Sequence, residues 1–137
     1  MNNNQAGIIK KPWGEEVWFA QTKKYAGKIL RVSKGHRLSL QYHERKEETQ
    51  YLAKGKIIIT YGETLENIKK TVLNPGDTFH ITPGTIHRME AIEDSEIFEV
   101  STPELDDVVK IEDDYGRNGS GNDFETDLVL HERHIQH

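Results

Sequence analysis

Short runs of alternating or β-branched residues recur along the chain, and each run is bounded by residues that favour turns. Nine such runs predict strands at residues 16–20, 28–32, 38–43, 50–53, 57–61, 70–73, 78–81, 87–92 and 97–102. Pairs such as Pro75-Gly76 and Pro83-Gly84 supply turns between them, because glycine tolerates the positive φ of a tight turn. Nine short strands with little helical periodicity predict an all-β domain, an antiparallel barrel or sandwich.

Helical periodicity is confined to the end of the chain, where residues 123–134 predict one short helix. Residues 116–123 predict a flexible loop, because they contain little that a core could bury. His131, His134 and His137 recur at every third position; we expect them to be exposed to solvent and assign them no catalytic role. These boundaries give an N-terminal arm (1–10), a barrel (11–117), and a loop with a C-terminal tail (118–137).

Composition and charge restrict the partners of the domain. Its 137 residues fit one domain with its own core, and the formal charge of −5 is spread without a basic stripe, which argues against nucleic acid as a partner. No run approaches the ~20 apolar residues of a membrane span, and residues 1–7 lack the apolar core of a secretory signal. We therefore expect a cytoplasmic protein that binds no membrane. The absence of cysteine leaves nitrogen and oxygen as the ligands for any metal.

Polar side chains occupy one face of the predicted strand 38–43. Alternation along a strand places these on the same side: Arg37, Ser39, Gln41 and His43. Glu48 begins the next strand, and His87 follows the turn at Pro83-Gly84. Together Gln41, His43, Glu48 and His87 would form a site with two imidazoles, one carboxylate and one amide oxygen. We expect one divalent ion there, Zn²⁺ first, while Mn²⁺, Fe²⁺, Co²⁺ or Ni²⁺ would also suit these donors.

Each of these residues also has a structural interpretation. Either histidine alone could be a hydrogen-bonded core residue, and Gln41 could satisfy a backbone group. A bulge of one residue would exchange Glu48 for its neighbour Glu47.

Two spacings in the chain resemble the two metal-binding motifs of the cupin superfamily. The first runs through Gly35, Gln41, His43, Glu48 and Gly55, and the second through Gly76, Thr82, Gly84 and His87. The resemblance implies a single small antiparallel β-barrel of the cupin or jelly-roll type with little helix. It also implies a metal held by Gln41, His43, Glu48 and His87. The spacing to Gly55 favours Glu48 over Glu47.

Further motifs resemble one branch of that superfamily, the type II mannose-6-phosphate isomerases. Gln41 stands where most cupins have histidine, as is typical of this branch, and both Lys11-Pro12-Trp13-Gly14 and residues 107–117 are similar to its signatures. The resemblance implies an enzyme of carbohydrate metabolism and polysaccharide biosynthesis that interconverts mannose 6-phosphate and fructose 6-phosphate. Small cupins also pair through their barrel edges, which implies a homodimer.

Strand faces suggest which residues would act on such a substrate. Glu99 is the candidate base that moves a proton between C1 and C2, and Lys28 is the candidate partner for the developing charge. We expect Arg37 or Arg117 to bind the phosphate, with Tyr115 beside Arg117. The sequence Tyr115-Gly116-Arg117 could instead be a structural turn.

Two other functions are compatible with the same motifs. One is a cupin that binds a sugar or a sugar nucleotide without catalysis, and the other is a metal-dependent dioxygenase. Turnover of mannose 6-phosphate separates the isomerase from both alternatives. Oxygen consumption with Fe²⁺ identifies the dioxygenase.

Overall fold

The computed structural model describes residues 5–104 and 106–134. In that part of the chain the elements are β1 (Gly7–Lys11), β2 (Gly14–Gln21), β3 (Ala26–Val32), β4 (Leu40–Tyr42), β5 (Glu48–Lys54), β6 (Ile57–Gly62), β7 (Lys69–Leu73), β8 (Thr78–Ile81), β9 (Ile86–Ala91), β10 (Ser95–Ser101), β11 (Val109–Glu112), β12 (Gly119–Ser120) and α1 (Phe124–His134). No helix among the described residues is long and apolar enough to cross a membrane.

The strands form two six-stranded antiparallel sheets. The first sheet has the order β1-β2-β3-β10-β5-β8, and the second has the order β12-β11-β4-β9-β6-β7. Each of the nine predicted segments overlaps an observed strand, and the prediction of an all-β fold with little helix is confirmed. The sheets do not close into one continuous barrel but face each other as two layers.

The core lies between the two sheets. Ile97 and Leu52 of the first sheet meet Ile57 and Ile59 of the second, and all four are buried. Alternation along each strand accounts for this, since the neighbours of Ile97 on β10 point outward. Each fully buried side chain of this kind contributes roughly 1.5–3 kcal/mol.

Helix α1 covers one end of the first sheet. Asp123 caps it by accepting a hydrogen bond from the backbone N–H of Thr126 at 3.1 Å. On the inner side of the helix His131 is buried, and its Nδ1 lies 2.8 Å from the carbonyl oxygen of Lys11. The prediction that His131 is exposed was therefore wrong, because the helix packs against β1. The side chain of His134, and His137 altogether, lie outside the described residues.

The segment predicted as a flexible loop contains strand β12. Gly119 and Ser120 pair with Lys110 and Val109 of β11, and the N–H of Gly121 donates to the carbonyl of Val108 at 2.9 Å. Backbone hydrogen bonds order this segment although it has little to bury. The prediction of a loop considered only which side chains could be buried, so it did not detect these backbone hydrogen bonds.

Candidate metal centre

Three predicted metal ligands meet in the interior. Nε2 of His43 lies 3.3 Å from Oε1 of Glu48, and Nε2 of His87 lies 3.2 Å from the same oxygen. All three side chains are buried, and their ligand atoms lie within 4.8 Å of one another. Ligands of a tetrahedral ion with bonds of ~2.0–2.1 Å would be separated by about 3.3 Å. The spacing therefore fits a single ion.

Outer hydrogen bonds orient both imidazoles. Nδ1 of His43 lies 2.6 Å from the carbonyl oxygen of Asp107, and Nδ1 of His87 lies 2.9 Å from the carbonyl oxygen of Thr85. A carbonyl accepts only, so each Nδ1 carries the proton and each Nε2 presents a lone pair to Glu48. Within the described part of the chain, Nε2 of His87 has no hydrogen-bond partner. Lone pairs converging in a buried space fit a cation, and the residues present suit the implied metal.

Asp107 also holds the loop that follows His43. Its carboxylate accepts hydrogen bonds from the backbone N–H groups of Glu44, Arg45 and Lys46 at 3.1, 2.7 and 2.9 Å. Burial alone raises the pKa of Asp107, but these N–H groups hold it below the ordinary value. Sequence reasoning did not assign Asp107 this role, which depends on a contact more than sixty residues away along the chain.

Gln41 lies beside the three ligands. Strand pairing places it directly opposite His87, and it shares the adjoining cavity with His43. The hydroxyl of Ser39 donates to Oε1 of Gln41 at 2.6 Å and thereby orients the amide. The role of Gln41 as the fourth ligand stays a prediction.

A buried ionic network adjoins the centre. Nζ of Lys46 lies 3.2 Å from Glu48 and 3.3 Å from Glu99, and the amide of Gln50 donates to Glu99 at 3.3 Å. Burial alone raises the pKa of Glu48, but the positive charge of Lys46 holds it well below the ordinary value. The pKa of Glu99 is raised, by burial first and then by the nearby charge of Glu48. Sequence reasoning missed Lys46 because it belongs to a charged run, which is typical of an exposed loop.

A cavity extends from this centre between the sheets. It is lined by five basic and two acidic side chains, together with polar and apolar ones: Lys11, Lys28, Lys46, Lys110, Arg117, Glu16 and Glu99. Four of the five basic groups pair with carboxylates at 2.7–3.2 Å, so most of their charge is balanced within the protein. Among the described residues Lys110 has no carboxylate within 4.0 Å, which leaves the cavity able to accept an anionic ligand.

Lys28 and Glu99, the predicted catalytic pair, lie directly opposite each other on β3 and β10. Nζ of Lys28 is 3.2 Å from Glu16 and lies 4.8 Å from the centre of the Trp18 ring. Burial alone raises the pKa of Glu16, but Lys28 and Lys11 lower it to about 2, so Glu16 stays ionised. The structure thus brings both predicted residues to the cavity wall.

The three predicted substrate-binding residues are placed differently. Arg117 lines the cavity, but its guanidinium donates to Asp113 at 2.7 and 2.9 Å and to Asp127 at 3.1 Å. Tyr115 packs against the hydrophobic core, and its hydroxyl lies 2.6 Å from Nδ1 of His36. Arg37 is bound to Asp114 at 2.6 and 2.7 Å. Neither Tyr115 nor Arg37 is among the described residues that line the cavity.

Fold and site together define an all-β protein with two facing antiparallel sheets and a buried group of two histidines and a glutamate that could hold a metal ion. A family model described as "Cupin domain" matches residues 28–101, which is more than half of the chain. The chain belongs to the cupin family.

One curated relative shares sequence over most of the chain. The xanthan biosynthesis protein XanB of Xanthomonas campestris pv. campestris is 28% identical over 114 residues, which are 80% of this chain and 23% of that protein. This chain therefore spans about a quarter of the length of that relative.

Solved structures share the fold at lower identity. KdgF from Halomonas sp. has a TM-score of 0.66 at 20% identity, and the match covers 77% of this chain and 97% of that one. Oxalate decarboxylase from Bacillus subtilis has a TM-score of 0.67 at 14% identity, with coverages of 81% and 33%. The capsular polysaccharide assembling protein CapF from Staphylococcus aureus has a TM-score of 0.66 at 16% identity, with coverages of 80% and 32%. These likenesses concern the fold alone.

Proposed function

We propose that this cupin is a metal-dependent isomerase that interconverts an aldose phosphate and a ketose phosphate, with mannose 6-phosphate and fructose 6-phosphate as the pair. One observation carries the proposal: the cavity that reaches His43 and Gln41 is lined by five basic side chains and two acidic ones. A sugar phosphate has hydroxyl and carbonyl oxygens at one end and an anion at the other. The similarity to a xanthan biosynthesis protein supports a sugar ligand.

The centre formed by His43, Glu48 and His87 would receive the carbonyl end of the sugar. A divalent ion held there, with Gln41 as a further ligand, would supply positive charge to the carbonyl and the neighbouring hydroxyl. Asp107 and Thr85 fix the two imidazoles through their carbonyl oxygens, so the ligand atoms keep their direction.

Glu99 would move the proton between C1 and C2. It is the acidic side chain of β10 that lines the cavity, and Lys46 connects it to Glu48 through two contacts of 3.2–3.3 Å. A carboxylate with a raised pKa takes up a proton more readily than an ordinary one. Lys28, opposite Glu99, would stabilise negative charge that develops on the substrate.

A second function is favoured by the ion pairs already formed. Glu99 is bound to Lys46, and Arg117 is bound to two aspartates, so these groups of the wall already have partners within the protein. Polar groups held in this way suit a cupin that binds a sugar phosphate or a sugar nucleotide without catalysis.

The decisive experiment is conversion of mannose 6-phosphate into fructose 6-phosphate, followed by NMR with protein loaded in turn with Zn²⁺, Mn²⁺, Fe²⁺, Co²⁺ or Ni²⁺. Loss of a general base typically costs about 10²–10⁴-fold in rate, so Glu99→Gln should lose at least a hundredfold in kcat. Glu96→Gln is the matched control, because Glu96 lies on the same strand with its side chain exposed and paired to Arg31. Binding of mannose 6-phosphate without formation of fructose 6-phosphate under every metal would contradict the isomerase and support the binding protein.

A further inference from the structure

Three side chains form a row across the second sheet. Lys110 of β11 lies directly opposite Gln41 of β4, and Gln41 lies directly opposite His87 of β9. Directly opposed residues of antiparallel strands point to the same face. Lys110 and Gln41 both line the cavity, so the row leads from the metal centre along the cavity wall.

Lys110 differs from the other basic groups of the cavity in its charge balance. Each of the other four basic groups has a carboxylate oxygen close to its nitrogen, at 2.7 Å for Lys11 and Arg117 and at 3.2 Å for Lys28 and Lys46. In the described part of the chain no carboxylate lies within 4.0 Å of Nζ of Lys110, which donates instead to the carbonyl oxygen of Gly121 at 2.6 Å. A half-buried ammonium without a counter-ion gains most from an incoming anion.

We infer that Nζ of Lys110 binds the oxyanion group of the ligand, a phosphate monoester or the carboxylate of a sugar acid. The inference rests on the proposed function, because it names the residue that holds the far end of that substrate. Arg117, the arginine expected to do so, already uses its guanidinium on Asp113 and Asp127. Lys110 keeps ammonium protons available beyond the one it donates to Gly121.

The distance along the row matches the length of a sugar phosphate. Neighbouring strands are ~4.8 Å apart, so the backbone of Lys110 is about one spacing from Gln41 and about two from His87. The carbon chain of an open-chain hexose together with its C6–O–P linkage, with carbon–carbon bonds of ~1.5 Å, spans about 9 Å when extended, which is a comparable distance. A ligand with its carbonyl at the metal centre can therefore place its anionic end at Lys110.

The test measures affinity by calorimetry, with the metal-loaded chain of 137 residues and inorganic phosphate as the probe. Lys110→Gln should weaken binding about 10- to 100-fold, because a charge-assisted hydrogen bond is lost. Lys110→Arg should stay within a few-fold of the parent protein, since the positive charge is kept. Lys70→Gln makes the same charge change at an exposed position of β7 and should not alter binding. Metal content and melting temperature should be unchanged in all three variants.

Equal phosphate affinity in Lys110→Gln and the parent protein would overturn the inference, as would a parent protein that binds neither phosphate nor a sugar acid. Mannose 6-phosphate, mannuronate and mannose then distinguish the source of the oxyanion, because mannuronate has its carboxylate at C6 and its carbonyl at C1. Affinity that depends on Lys110 is expected for mannose 6-phosphate or mannuronate and not for mannose. Phosphate binding that depends on Lys110 without isomerisation would support the subsite and contradict the isomerase. An isomerisation rate that is unchanged in Lys110→Gln would support the isomerase and contradict the subsite.

Discussion

Replacing Arg117 with methionine should destabilise the fold strongly. The guanidinium of Arg117 binds Asp113 through two hydrogen bonds of 2.7 and 2.9 Å, and it binds Asp127 through a third of 3.1 Å. The side chains are almost wholly buried, with exposed fractions of 7% for Arg117, 0% for Asp113 and 3% for Asp127. Methionine fills a similar volume but leaves the carboxylate of Asp113 without its counter-ion.

The expected loss follows from which charge is left unpaired. Breaking a buried ion pair by removing one partner costs about 3–5 kcal/mol. Asp127 keeps Lys11 at 2.7 Å, so Asp113 bears most of the effect, and we expect the lower end of that range, about 3 kcal/mol. For a chain of this size that corresponds to a fall of roughly 10 °C in melting temperature.

Urea unfolding followed by circular dichroism measures the loss. Arg31→Met is the matched control, because Arg31 also contacts two carboxylates but its side chain is 46% exposed. An exposed pair of this kind contributes only about 0.2–1 kcal/mol. Adding Asp113→Asn to Arg117→Met should recover part of the stability by removing the unpaired charge. If Arg117→Met lost no more than Arg31→Met, the assignment of a buried ionic network would be refuted.

Four further predictions concern the metal, acid stability and assembly. His43→Ala and His87→Ala should each lose most bound metal while the sheets stay folded; elemental analysis and circular dichroism test this, and stoichiometric metal in both variants would contradict the site. Gln41→His should shift metal preference toward Cu²⁺, Ni²⁺ and Zn²⁺ relative to Mn²⁺, and unchanged relative affinities would show that Gln41 does not bind the ion. Burial raises the pKa of Asp113, but the Arg117 guanidinium holds it below the ordinary value of 3.8. The ionised Asp113 therefore stabilises the fold above about pH 4, and that contribution is lost as pH falls toward the pKa of the folded protein. Asp113→Asn should flatten this part of the curve of unfolding free energy against pH. The expected homodimer would cover the exposed apolar row that includes Phe98, so Phe98→Glu should give a monomer in light scattering. A parent protein that is itself monomeric would contradict the dimer.

Local patterns predicted much of the fold. The short apolar runs at residues 57–61 and 97–102 predicted strands, and Ile57, Ile59 and Ile97 of these strands are buried in the core. Such strands are visible in the sequence because the two-residue period is a property of neighbouring residues. Strands β1 and β11 were missed because they lie near the ends of their sheets, where the pattern is only partly buried.

Part of the candidate site was predicted from the resemblance to the cupin motifs. That resemblance implied a common centre for His43, Glu48 and His87, and these side chains do converge. Lys46 was missed because its neighbours in the charged run 44–48 favour an exposed loop. Its burial depends on Glu99, which lies more than fifty residues further along the chain.

The sequence by itself predicted nine of the twelve strands that the structure describes, the turns between them and, through motifs that resemble those of cupins, the residues able to hold a metal. The tertiary structure alone decided which distant polar groups meet: Lys110 beside Gln41, Lys46 against Glu99, and Lys11 against Asp127. The physical reason is that strand alternation and turn preference depend on adjacent residues, whereas these pairs join segments up to 116 residues apart. Which charge neutralises which is fixed only when the sheets pack and exclude water, because only then does an unpaired charge become costly.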